Sequence, residues 1–122
     1  VGLDNKFLEK YPHQLSGGQC QRVNIARTLS VNPKILIADE PTSALDVTIQ
    51  SQIIELIMNL CKKMELTLIF ISHDLSVVKQ ICDKVIVMKN GNIIEKGSTY
   101  NVFHKTKDNY TKKLISSIPS LN

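Results

Sequence analysis

Tryptophan is absent from these 122 residues, and aromatic side chains make up only 5% of them. Proteins that grip nucleic acid without sequence preference stack bases on aromatics inside a basic groove. The chain is mildly basic, with a formal net charge of +4. However, Lys96, Lys105, Lys107, Lys112 and Lys113 are spread out along the last quarter of the chain and form no compact basic cluster. A solvated face accounts for them, and no nucleic-acid partner is expected. Cysteine is scarce as well. Cys20, Cys61 and Cys82 are odd in number and lack metal-like spacing, which argues against a disulfide framework or a zinc site. No secretory leader is recognisable, so the thiols are expected to be reduced. No apolar run approaches the ~20 residues of a membrane-spanning helix, so a membrane role would have to come through a partner. Internal repeats and low-complexity segments are also missing. The opening "VGLDNKFLEKYPHQ" has no initiator Met and no strand before the first helix, and it reads as part of a longer protein.

The residues that are present begin to speak at "LSGGQ", residues 15–19, just ahead of the helical run "QCQRVNIARTLS". Interior glycine costs a helix up to ~1 kcal/mol, so Gly17 and Gly18 in a first turn need a reason. Ser16 and Gln19 form the S-x-x-Q pattern of a capping box, in which each residue satisfies a donor at the helix start. The glycines then leave the first N–H groups clear of side chains. A helix N-terminus carries about half a positive charge and free donors, and a phosphate can approach it closely. On these residues alone, a capped helix with a flexible start remains the alternative.

Downstream, "VNPK" ends this first helix, near residues 17–31. "KILIAD" and "LTLIFIS" are short apolar runs that suit buried parallel strands. Between them, "EPTSALD" is a loop, Asp46 can cap a helix, and Ile49, Ile53, Leu56, Ile57 and Leu60 make one apolar stripe. "HDLSVVKQIC" suits a short helix. "DKVIVMKNGNIIEKG" reads as two strands joined by Asn90-Gly91. Two weak helices, "TYNVFHKT" and "NYTKKLISSI", follow. Alternating strands and helices predict an α/β layer fold with an antiparallel hairpin closing it.

Ligands of open α/β sheets bind at the carboxyl ends of the strands. Here one strand ends in Asp39 and Glu40 and the next in Ser72 and His73. If the strands are neighbours, two carboxylates and an imidazole meet at one edge. One carboxylate can hold a metal while the next orients or deprotonates a water. A histidine can donate to a phosphate oxygen where charge builds up. Singly, each has a duller explanation, as strand-end solvation or a helix cap. The combination, with a phosphate-ready helix start upstream, favours a site.

"LSGGQ", "ILIADEPTSALD" and "LIFISHD", in that order and spacing, resemble the ATP-binding subunit of ABC transporters over nearly the whole chain. The resemblance implies a P-loop NTPase-like (RecA-like) α/β fold, here incomplete: a parallel sheet with flanking helices and an antiparallel closing hairpin. It implies ATP and Mg²⁺ as cofactors. Leu15, Ser16, Gly17, Gly18 and Gln19 match the signature motif, which in the family contacts the γ-phosphate of ATP held by the opposite subunit. Asp39 matches the Mg²⁺-holding aspartate, Glu40 the catalytic glutamate, and His73 the switch histidine. Ser43, Ala44, Leu45 and Asp46 match the loop that crosses the dimer interface. Cys20 and Asn24 depart mildly from the family's usual residues. The larger departure is that no G-x-x-x-x-G-K-[ST] occurs. The glutamine loop and adenine-stacking aromatic are missing too, so the chain resembles the C-terminal half of such a domain.

"YPHQLSGGQ", "PTSALDVTIQSQI" and "DNYTKKLISSIP" narrow the resemblance to dipeptide, oligopeptide and nickel importer ATPases. The expected partners are a second ATP-binding subunit, identical or paralogous, and transmembrane permease subunits. The expected location is peripheral, on the cytoplasmic face of the cell membrane. Some relatives carry a cysteine cluster in the tail; here no cysteine follows Cys82, and no iron–sulfur cluster is expected. The expected organisation is the end of a helical signature subdomain at 1–33, catalytic core elements at 34–97 and a helical tail at 98–122. Two competing readings are a soluble ABC-type ATPase acting on ribosomes or DNA, and a purely structural dimer-contact module. "PTSALD" favours transport over the first, since soluble translation-type members resemble "PTNHLD". An upstream phosphate loop in the native gene would exclude the second.

Overall fold

A computed structural model describes residues 1–118. The chain divides into two compact units, Val1–Ile71 and Ser72–Asn122. The predicted tail helices fall in the second, and residues 119–122 lie outside the described residues.

The first unit opens with two short 3-10 turns, Asn5–Phe7 and Pro12–Gln14, and then α1, Gly17–Leu29. Strand β1, Ile35–Asp39, leads through a loop to α2, Val47–Met64, and β2, Thr67–Ile71, completes the unit. β1 and β2 pair in parallel, in the register Ile35↔Thr67, Ile37↔Ile69 and Asp39↔Ile71. The α2 crossover satisfies the need of a parallel pair for a long connection. α2 stops at Glu65, which takes a left-handed φ of 54° and returns its N–H to the Cys61 carbonyl.

Both helices bury their apolar stripes with one face of the strand pair. Ile25 and Leu29 of α1, Leu36 of β1, and Ile53, Ile57 and Cys61 of α2 form the core. Ile49, Leu56, Leu60 and Leu68 pack against it, so the stripe expected on α2 is the stripe buried. Ile53 is 0% exposed and Ile57 2%; burying each contributes about 1.5–3 kcal/mol. Among the described residues the strands are covered on one face only. Leu36 and Ala38 are buried, but Ile35, Ile37, Ile69 and Ile71 are exposed. Side chains alternate across a strand, and the helices pack on the Leu36 side, so the isoleucines share the other face.

The second unit holds α3, Leu75–Ile81, the hairpin of β3, Lys84–Lys89, and β4, Asn92–Ser98, then α4, Thr99–Lys105, and α5, Asn109–Ser116. The hairpin forms its own two-stranded antiparallel sheet. Asn90 and Gly91 both have positive φ, 50° and 76°, the geometry of the tight turn that matches strand twist. A bulge lies between Val87 and Met88. Val85 and Val87 are buried on one face of β3, and Val102 and Phe103 are buried on α4.

Candidate functional site

The start of α1 is built as the sequence predicts. The Gln19 N–H donates to Ser16 Oγ at 3.3 Å, and the Ser16 N–H donates to Gln19 Oε1 at 3.0 Å. Ser16 is extended, at φ −68° and ψ 162°, as an N-cap should be. This pair uses two of the donors at the helix start. Gly17 is exposed, while Leu15 and Gly18 are partly buried.

Gly18 has a neighbour the sequence does not reveal. A Cβ added there would lie 2.6 Å from Ile49 Cγ2 of α2. One added at Gly17 would lie 3.1 Å from Leu45 Cδ2. The two helices therefore meet where α1 begins and α2 begins. Gly18 answers a packing demand inside the unit, whatever else it does. No local pattern in the sequence links residue 18 to residue 49.

Asp39 closes β1 and is exposed. Glu40 follows with φ +45°, a left-handed conformation for a residue with a bulky side chain. Such a conformation is sparsely populated and collects at functional sites. Three contacts fix it. The Glu40 N–H donates to the Ile71 carbonyl at 2.9 Å, at the end of the neighbouring strand. The Glu40 carbonyl accepts from the Ser43 N–H at 3.3 Å and from Ser43 Oγ at 3.2 Å. Pro41 and Thr42 are buried beneath the turn, and the Leu45 N–H donates to the Thr42 carbonyl at 3.1 Å. Asp46 then caps α2, its Oδ1 accepting the Ile49 N–H at 3.1 Å. Asp46 thus has a demonstrable local role alongside its place in the motif.

The strands are neighbours, and both carboxylates stand at their common carboxyl end. His73 belongs to the second unit, two residues beyond β2. It is exposed and precedes Asp74, whose carboxylate accepts the Ser76 and Val77 N–H groups as the N-cap of α3. The helix cap is therefore Asp74, and His73 is not spent on it.

Among the described residues no group of three or more His, Cys, Asp or Glu forms a complete metal cage. An exposed strand-end carboxylate fits Mg²⁺ nonetheless, because that ion is commonly held by one or two carboxylates, waters and phosphate oxygens. The three cysteines are free thiols. No helix among the described residues is long and apolar enough to cross a membrane.

The ABC transporter family model matches residues 1–43. Over 119 residues the chain is 55% identical to the oligopeptide transport ATP-binding protein OppF of Haemophilus influenzae, covering 98% of this chain and 36% of that one. It is 52% identical over 120 residues to the dipeptide transport ATP-binding protein DppF of Lactococcus lactis subsp. cremoris, covering 98% and 38%. Its fold is similar to an ATP-binding cassette, MJ0796, solved as a dimer in a post-hydrolysis state with ADP and phosphate. That match has a TM-score of 0.68 and 37% identity, over 80% of this chain and 41% of the other. The fold is accordingly that of part of an ABC ATPase domain. The chain spans little more than a third of the length of the curated relatives it matches.

Proposed function

We propose that this chain, a relative of ABC transporter ATP-binding proteins, serves as the signature and catalytic edge of an ATP-hydrolysing importer subunit. The cargo is a peptide or, on the same machinery, nickel. The subunit sits on the cytoplasmic face of the membrane, joined to permease subunits and to a second ATP-binding subunit. One observation carries the reading: Asp39 and Glu40 stand together at the carboxyl end of a parallel strand pair, in a chain about half identical to peptide-import ATPases.

Asp39 would hold Mg²⁺, which neutralises charge on the phosphate oxygens. Glu40, fixed by its backbone contacts, orients or deprotonates the attacking water. His73 donates to a terminal phosphate oxygen as charge builds up. Ser16 and the clear N–H groups at Gly17 and Gly18 face the γ-phosphate of ATP held by the partner subunit. Leu15 and Gln19 complete that motif, and Asp46 lies in the loop that crosses the interface. This reading requires a phosphate-cradling loop supplied from outside these residues, which contain no G-x-x-x-x-G-K-[ST].

The test mixes two lesions in the full-length protein, reconstituted with its permease. Gly17→Asp places charge and bulk against the phosphate at the position where an added Cβ meets the flexible end of Leu45, at 3.1 Å, rather than the Ile49 methyl. The other subunit lacks its phosphate-loop lysine. Each variant alone is expected to be inactive. In the mixed dimer both lesions fall on one composite site and leave the second intact, so mixing restores part of the hydrolysis. Recovery by neither ATP hydrolysis nor peptide uptake, with both variants folded and dimeric, would overturn the trans arrangement.

A further inference from the structure

We propose that Ile49, which lies outside the motifs, is a positioning residue: its Cγ2 methyl sets how closely the first turn of α1 approaches the start of α2. The inference rests on the proposed function, because it concerns the α1 donors which that reading directs at a phosphate.

The contact is one-sided and stiff. An added Cβ at Gly18 would be 2.6 Å from Ile49 Cγ2 but 3.9 Å from Ile49 Cβ. The methyl therefore fills the space that a side chain at residue 18 would need. It is bonded directly to Cβ, so it can leave only by rotation about χ1. A β-branched residue inside a helix keeps essentially one χ1 rotamer. The backbone beneath it is also fixed, because the Ile49 N–H donates to Asp46 Oδ1 at 3.1 Å and the Gln50 N–H to the Asp46 carbonyl at 2.8 Å. The side chain itself packs against the Ile53 and Ile57 core. The position of residue 46 is thereby carried through a rigid methyl to the backbone of Gly18.

Gly17 differs. Its added Cβ would meet Leu45 Cδ2 at 3.1 Å, the far end of a flexible side chain that can give way. Of the paired glycines, Gly18 is the one whose missing side chain defines a spacing.

The experiment compares four variants of the full-length protein, assembled with its partner subunits: Ile49→Ala, Gly18→Ala, the double Gly18→Ala/Ile49→Ala, and Gly18→Ala/Ile49→Val. Ile49→Ala should lower kcat about tenfold or more, with KM for ATP nearly unchanged, because a misplacement of 1 Å can cost ~100-fold. The double alanine variant moves the methyl from one side of the contact to the other, so it should recover most of the lost kcat. The valine variant keeps a methyl at Cγ2 and should stay slow. A merely structural role would shift the melting temperature and leave the kcat-against-KM split alone. The inference is overturned if Ile49→Ala turns over like wild type below its melting temperature. It is equally overturned if the double alanine variant fails to fold, or folds as well as Ile49→Ala and is no faster. Absence of hydrolysis by the wild-type assembly would instead sink the functional reading. In that case the melting temperatures still report the contact, with the double alanine variant expected above Gly18→Ala.

Discussion

Replacing Glu40 by glycine should stabilise the folded protein relative to alanine at the same position while leaving it without turnover. The backbone at Glu40 sits at φ +45°, and a residue bearing a Cβ pays roughly 1–2 kcal/mol to enter the left-handed region. Glycine escapes that cost but gives the unfolded chain more freedom, which takes back about 0.4–1 kcal/mol. The net advantage of glycine over alanine is therefore about 0.5–1 kcal/mol. Nothing else separates the two variants, because each has lost the carboxylate and each retains the contacts made by the residue 40 backbone. Those contacts, to the Ile71 carbonyl and from Ser43, hold the turn in place whichever side chain is present. Urea denaturation of the full-length variants reads the difference as a shift in midpoint at constant slope. Glu40→Gln completes the series. It preserves shape and strain, and should slow hydrolysis by roughly 10²- to 10⁴-fold, the usual value of a general base. An alanine variant at least as stable as the glycine variant would refute the claim that this backbone is strained. Turnover by Glu40→Gln close to wild type would show that another carboxylate acts on the water.

Further expectations concern the core and the thiols. Ile53→Ala removes a side chain that is 0% exposed and should cost about 2–5 kcal/mol, seen as a lower denaturation midpoint. Burial pushes the Cys61 thiol up; burial first, and then the neighbouring Asp83 carboxylate, push the Cys82 thiol up. The folded state thus holds these protons more tightly than the unfolded chain does. The resulting stability is complete below the unfolded thiol value of ~8.5 and is lost as pH rises through the higher folded values. A melting series through alkaline pH should show this decline, and a Cys61→Ala/Cys82→Ala variant should show less of it.

Features of this fold that depend on neighbours in sequence were legible in the sequence. The Ser16–Gln19 capping pair, the Asp46 cap, the α2 stripe and the Asn90-Gly91 turn each rest on residues within a few positions of one another, and each forms as read. The neighbouring placement of β1 and β2 was legible only as a condition, yet it decides where Asp39 and Glu40 stand. The apolar runs show that both strands can be buried, but not which partners lie on each face, and the chain spans little more than a third of its relatives' length. Ile35 and Ile37 have the apolar character of core residues, and among the described residues nothing covers their face.

The paired glycines mark the boundary most clearly. From sequence, Gly17 and Gly18 are equivalent: both follow an N-cap and both clear the helix start. The structure separates them through Leu45 and Ile49, which follow them by more than 25 residues. Gly17 faces a side-chain end that can move, so substitution there probes what the exposed helix start meets. Gly18 faces a methyl on a capped helix, so substitution there also forces α1 and α2 apart. A single variant at Gly18 therefore confounds phosphate contact with helix spacing. The two effects separate only when residue 49 is changed with it, or when the lesion is moved to Gly17.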